Sequence, residues 1–221
     1  EEENLYLTAC LLTFYQQQYL YRKHTKRLEP FMVENPLWVF VGNKVNDESS
    51  DILTIIKFLA NFLDQQHYGR NIDWINDLIT NKDRLLDAKG NNIFHNRFTP
   101  LMGHDAKQVY QDILQTFFNA PSNHRLNVIR ITQNTGELRL QVGENTPFGV
   151  INVGDEKNLF DTATEFSQDY YLNTRTDEFS PSLFDTLNNV DSKTNLLIGS
   201  RKFTEGWSSW RVSTMGLLNM G

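Results

Sequence analysis

Read by the spacing of its apolar residues, the chain alternates strand-like runs with helix-like stripes. Residues 4 to 21 set Leu5, Ala9 and Leu12 on one helical face with Leu7, Leu11 and Phe14 beside it, a wide stripe suited to packing against another domain. Leu37-Trp38-Val39-Phe40-Val41 is a continuous apolar run opened by Pro36 and followed by Gly42-Asn43-Lys44, which predicts a buried strand leading into a loop, as parallel sheets use. N-cap candidates from Asn46 to Ser50 then introduce Ile52, Ile55, Ile56, Leu59 and Leu63 at helical spacing. Strand, loop and amphipathic helix make half of a βαβ unit.

From His67 to about Arg125 the pattern is helical and polar, with Trp74, Ile75, Leu78 and Ile79 in one segment and Val109, Ile113, Leu114 and Phe117 in another. It reads as a helical insertion over about residues 68–125. Leu126 to Ile131 and Leu138 to Val142 alternate apolar and polar residues around Asn134-Thr135-Gly136-Glu137, the pattern of a hairpin with a glycine in its turn. Phe148 to Val153 predicts another buried strand and Asp155 to Thr164 a short helix. A helix over Ser182 to Asn188, a strand over Asn195 to Gly199 and a last strand over Val212 to Leu218 complete the pattern. The class is α/β, with a mostly parallel sheet.

Composition narrows the function classes. The length of 221 residues suits one large domain or one domain with an insertion, and 39% hydrophobic against 22% charged residues excludes a disordered or fibrous chain. A net charge of −6 excludes a chain whose whole surface is a basic nucleic-acid coat, so any such site must be local. The single cysteine, Cys10, excludes an internal disulfide and a Cys-based zinc site, and its place in the apolar stripe suggests burial as a small hydrophobe. No apolar run approaches the ~18 residues of a membrane span, and the acidic start is unlike a signal peptide, so no membrane partner and a cytoplasmic location are expected. The chain starts without Met and stops just after an apolar run, which reads as an excised fragment.

Candidate chemistry concentrates after the strand at residues 195–199, in Gly199-Ser200-Arg201-Lys202-Phe203-Thr204-Glu205-Gly206-Trp207-Ser208-Ser209-Trp210. Loops at the C-terminal ends of parallel strands are where open α/β sheets bind ligands, and this one carries hydroxyls, two cations and a glycine. The stretch resembles motif V of superfamily 2 helicases and translocases, most closely the Res subunit of type III restriction enzymes. The Glu205-Gly206-Trp207 triplet carries the resemblance, with Ser200 six residues before Gly206, where the family has a Thr or Ser that touches the nucleic-acid backbone. The family's Asp two residues after the glycine is Ser208 here. Trp38 to Lys44 is similar to motif IV, the first strand of the second RecA-like domain, whose following loop faces nucleic acid.

The resemblance implies a RecA-like, P-loop NTPase-type domain over residues 36–221, cut before motif VI, with residues 1–35 forming a helix and linker from the preceding motor domain. It implies Asn43, Lys44, Ser200, Arg201 and Lys202 at DNA phosphates, and Glu205, Gly206 and Ser208 at the nucleotide. ATP and magnesium would serve the full-length hydrolase, which would translocate on and cleave duplex DNA beside a modification (methyltransferase) subunit and the upstream RecA-like domain. No G-x-x-x-x-G-K-S/T phosphate loop occurs, so this chain alone is expected to be inactive and to bind neither cofactor. Asp47-Glu48-Ser49-Ser50 reads as helix capping rather than a DExx box, and His24, His67, His95, His104 and His124 show no metal-ligand spacing. No nucleophile motif is present, so no catalytic residue is assigned within the chain. Arg22, Lys23, Lys26 and Arg27 complement a helix C-terminus or meet phosphate; Trp207 and Trp210 pack on the sheet or a missing domain, or stack on a base. Two other readings stand: a superfamily 2 helicase of repair or phage defence without a nuclease, and a non-catalytic α/β interaction module.

Overall fold

The structure is a computed structural model that describes residues 1–42, 50–133, 135–200 and 207–217, with Ser200 and Leu217 described by backbone only. Seven strands form one sheet: β1 (Leu37–Gly42), β2 (Leu126–Ile131), β3 (Glu137–Val142), β4 (Gly149–Asn152), β5 (Leu172–Asp177), β6 (Leu196–Ser200) and β7 (Val212–Leu217). Their order is β5-β2-β3-β4-β6-β1-β7. Only β3 runs against its neighbours; the β1–β6, β1–β7, β4–β6 and β2–β5 pairs are parallel. The architecture is therefore α/β with a mostly parallel sheet and flanking helices, consistent with a RecA-like fold.

Five α-helices are described: α1 (Glu2–Leu28), α2 (Asp51–Leu63), α3 (Tyr68–Ile79), α4 (Ala106–Thr116) and α5 (Glu156–Glu165). All five send buried side chains into one large apolar cluster, on the sheet face that carries Trp38, Phe40, Val128, Leu140, Ile151 and Ile198. Trp38 is its centre, with ring centroids 5.8 Å from Phe14 of α1, 5.8 Å from Phe117 and 4.6 Å from Phe40. Burial of one such aromatic stabilises the fold by about 2–3 kcal/mol. Across the sheet, Gly216 of β7 lies opposite Phe40 in register, and the Phe40 ring fills the place where a Cβ would stand.

The other face is smaller and is covered differently. Leu37, Val39, Val41, Val150 and Leu197 meet Leu187, Leu183, Phe184 and Trp207, residues of turns and coil rather than of helices. A continuous apolar run such as Leu37–Val41 is explained by this two-sided burial, because a strand covered on both faces has no polar period.

Several expectations shift. The stripe at residues 4–21 packs on this chain's own α3, α4 and sheet, and the helix runs on to Leu28 past a kink at His24. The helices between residues 68 and 125 share the same cluster as the sheet, joined by a stretch of turns between Ile79 and Ala106. The β2–β3 hairpin lies where the alternation puts it, pairing Leu126 with Val142 and Arg130 with Leu138. Residues 182–188 are not a helix but successive three-residue turns, with Thr186 N–H donating to Leu183 O and Leu187 N–H to Phe184 O. The start of these turns is docked on β3, where Glu137 accepts from the Ser182 hydroxyl and from Leu183 N–H. Strand β5 carries no apolar alternation, since Asn173, Arg175 and Thr176 are exposed and Leu172 alone is buried. It is held as an edge strand by its backbone pairing to β2.

Two polar contacts lock α1 in place. Gln18 Nε2 donates to Thr116 O at 3.2 Å and to Asn195 Oδ1 at 3.2 Å, while Asn195 Nδ2 donates to Thr116 O and Phe117 O, both at 2.9 Å. Asn195 thereby satisfies carbonyls at the end of α4 that the helix leaves open. Farther out, Asp112 of α4 accepts from Arg22 at 2.6 Å and from the Tyr15 hydroxyl at 2.7 Å. Among the described residues no helix is long and apolar enough to cross a membrane.

Burial acts to raise the Asp112 carboxyl, but hydrogen bonds from Arg22 and Tyr15 and the guanidinium charge outweigh it and hold the group below its ordinary 3.8. A carboxyl depressed on folding contributes stability that is present in full above 3.8 and is lost as the pH falls through the lower folded value. Asp112 is partly exposed, so solvent screening limits the effect to about 1 kcal/mol. Asp112→Asn should melt below wild type at about pH 7, and the gap should close by about pH 2. Melting curves across that range check it; a gap that persists in acid would overturn the assignment.

Candidate nucleic-acid and nucleotide interface

Because β1, β4, β6 and β7 are parallel, their C-terminal ends share one edge of the sheet. There Gly42 is the register partner of Ser200, and Asn152 that of Gly199. The close approach of α2 explains the glycine, since a Cβ on Gly42 would come within 3.3 Å of Ile52 Cγ1. Asn43 and Lys44 follow Gly42, and Arg201 and Lys202 follow Ser200, so the two motif-like stretches leave neighbouring strands at paired residues. Asn43, Lys44, Arg201, Lys202, Glu205 and Gly206 themselves lie outside the described residues. The backbone of Ser200 ends β6, and Ser208 is exposed.

The described part of the loop, residues 207–211, is fixed by contacts to the coil before β6. The Trp207 ring belongs to the smaller apolar cluster and stands 6.3 Å from that of Phe184, a packing role. Asn188 Nδ2 donates to Ser208 O at 3.1 Å, and Arg211 N–H donates to Ser209 Oγ at 3.1 Å. Trp210, by contrast, is 89% exposed.

Arg211, 3% exposed, is the anchor that sequence reasoning missed. Its guanidinium donates to Asn35 O at 2.9 Å, to Thr194 O at 2.7 Å and to Leu187 O, joining the approach to β1, the approach to β6 and the covering coil. Burial pulls this guanidinium below its usual value, with Glu34 and Tyr21 opposing. Its signal in the sequence is slight: a lone cation at the start of a strand reads as exposed.

Glu137 and Arg139 were read only as parts of the hairpin, yet both are buried on the face opposite the large cluster. Glu137 accepts from Ser182 Oγ at 2.7 Å and from Leu183 N–H at 2.8 Å, and Arg139 donates to Pro181 O. Burial lowers the Arg139 guanidinium, while Glu137 and Asp177 oppose the shift. The period of two that predicts a hairpin places these residues on one face but does not say that coil will cover them.

Among the described residues no group of three or more His, Cys, Asp or Glu side chains is placed to hold a metal. Ser208 is the described hydroxyl among the nucleotide-facing candidates; it offers a hydrogen bond and no charge. Burial raises the Cys10 thiol to about 11, which suits a side chain packed in α1 rather than a nucleophile. Arg22 of the basic cluster is engaged by Asp112, and Lys26 and Arg27 occupy the last turn of α1. Comparison with family models, with curated proteins and with solved structures finds no match for this chain.

Arg211→Leu leaves the carbonyls of Asn35, Leu187 and Thr194 without their donor. The expected loss is about 2–4 kcal/mol of unfolding free energy. Arg211→Lys should recover only part of it, because an ammonium cannot span that fork. Urea unfolding checks this, and a leucine variant within about 0.5 kcal/mol of wild type would refute the anchoring role.

Proposed function

We propose that this chain is the second RecA-like motor domain of a type III restriction enzyme Res subunit, contributing to ATP-dependent translocation on duplex DNA and its cleavage. The observation that supports this reading most is the register pairing of Gly42 with Ser200, since it sets the ends of the motif IV-like and motif V-like strands side by side. Two such ends on one edge of a parallel sheet suit a ligand-binding edge. In this reading Asn43, Lys44, Ser200, Arg201 and Lys202 grip backbone phosphates without reading bases, and Glu205, Gly206 and Ser208 face the nucleotide. ATP with magnesium supplies the free energy of the cycle when bound. In this reading the upstream RecA-like domain would provide the phosphate loop and the magnesium carboxylate, and a separate modification (methyltransferase) subunit would be the partner.

A net charge of −6 makes the few local cations carry the DNA contact. A second reading, a non-catalytic interaction module, draws on a different observation: Met32, Val33 and Val190 are exposed and line one cavity of about 530 Å³ beside Arg211. Binding by the full protein separates the two. Lys202→Ala should weaken binding to duplexes of every sequence and flatten the salt dependence of log K by about one unit. Titrations at several salt concentrations check it; an unchanged slope removes Lys202 from the phosphate contacts, and a wild-type protein that ignores DNA favours the interaction module.

A further inference from the structure

The coil between β5 and β6 connects two places that are far apart in sequence. At one end, Glu137 of β3, 2% exposed, holds the turn at residues 182–184: its carboxylate accepts from Ser182 Oγ at 2.7 Å, from Leu183 N–H at 2.8 Å and from Phe184 N–H at 3.5 Å. At the other end the same coil holds the β6–β7 loop, through the Phe184 ring against Trp207 and through Asn188 Nδ2 on Ser208 O. Phe184 is common to both ends: its N–H points to Glu137 and its ring packs on Trp207. A carboxylate buried within a sheet face is costly unless it is hydrogen-bonded, and here it accepts three hydrogen bonds from this one turn. Arg139, whose Nε lies 3.9 Å from Glu137 Oε1, adds charge on the same face and donates to Pro181 O just before the turn.

We propose that Glu137 is a positioning residue for the β6–β7 loop: through the 182–188 turns it fixes Trp207 and Ser208, and with them the end of the loop that faces the nucleotide. The ligand in this statement rests on the function proposed above; the linkage from Glu137 to Trp207 does not. Ser182, Phe184 and Asn188 are the intermediate parts: Ser182 lies at the Glu137 end, away from the loop, whereas Phe184 and Asn188 touch the loop directly.

The test uses the full protein labelled with 5-fluorotryptophan, with the Trp207 resonance assigned by Trp207→Phe. Glu137→Gln keeps the shape but replaces an acceptor oxygen with a donor, and should shift or broaden the Trp207 resonance while leaving those of Trp38 and Trp74 in place. Ser182→Ala, which deletes the bond to Glu137 and the one from Asp185 N–H, and Asn188→Ala, which deletes the bond to Ser208 O, should move the same resonance less and keep the test open if Glu137→Gln fails to fold. In parallel, Glu137→Gln should weaken binding of a fluorescent ATP analogue with magnesium by roughly three- to tenfold. A Trp207 resonance unmoved in all folded variants overturns the linkage. A moved resonance with wild-type affinity for the ATP analogue overturns the positioning role. A moved resonance in a protein that binds no nucleotide even as wild type overturns the nucleotide reading and the positioning role with it, leaving a linkage of structural use only.

Discussion

The constraint on which the structure depends is that β1 must be covered on both faces, while the described helices lie on only one. Leu37, Val39 and Val41 face away from the helices and are nonetheless buried. Their cover is turn and coil, which has no internal ladder for its own N–H and C=O groups. Those groups are answered by buried side chains reaching out from the sheet: Glu137 accepts from the Leu183 amide, Arg139 donates to Pro181 O, and Arg211 donates to Leu187 O and Thr194 O. Apolar side chains at these sites would pack equally well but would leave the coil's backbone without partners, so the polar residues are part of what makes a coil cover possible.

This explains what was legible in the sequence and what was not. The strands β1, β4 and β6 and the helix α2 follow from local pattern alone, because each buries an unbroken run or a full helical stripe. The hairpin follows from period two and its glycine, which adopts φ +90 and presses close to Val153 O. Residues 182–188 defeat the same reasoning: Ser182, Leu183 and Leu187 give a helical spacing, yet the chain there closes i→i+3 turns docked on Glu137, 45 or more residues away. Strand β5 is invisible for the opposite reason. Its partner supplies the backbone pairing and its own side chains supply almost no burial.

The candidate site divides in a similar way. Its residue types and spacing are sequence properties, and all eight candidates at or after the ends of β1 and β6 are legible there. What spacing cannot give is adjacency across the sheet, since residues 42 and 200 become register partners only once β6 and β7 are laid on either side of β1. Nor can it give the supports. Arg211 and Glu137 look like ordinary surface charges in one dimension, and their burial follows from a cover whose path the sequence does not state.

Arg211 and Glu137 also act on the loop from different sides, which makes the arrangement more than a passive lid. Arg211 closes the loop where β7 begins and ties it to the approaches of β1 and β6, so the loop's exit is fixed to the same two strands whose C-terminal ends carry the candidate residues. Glu137 reaches the loop from the antiparallel side of the sheet, through a turn that shares the Phe184–Trp207 contact. A displacement of Trp207 is thus felt at β3, and a change at β3 is felt at Trp207, as reciprocal coupling requires of any two sites that share a packed element. Packed elements of this kind shift as units rather than bending smoothly. The hairpin is therefore the place in this fold from which the geometry of the β6–β7 loop can be adjusted without contact with whatever the loop binds.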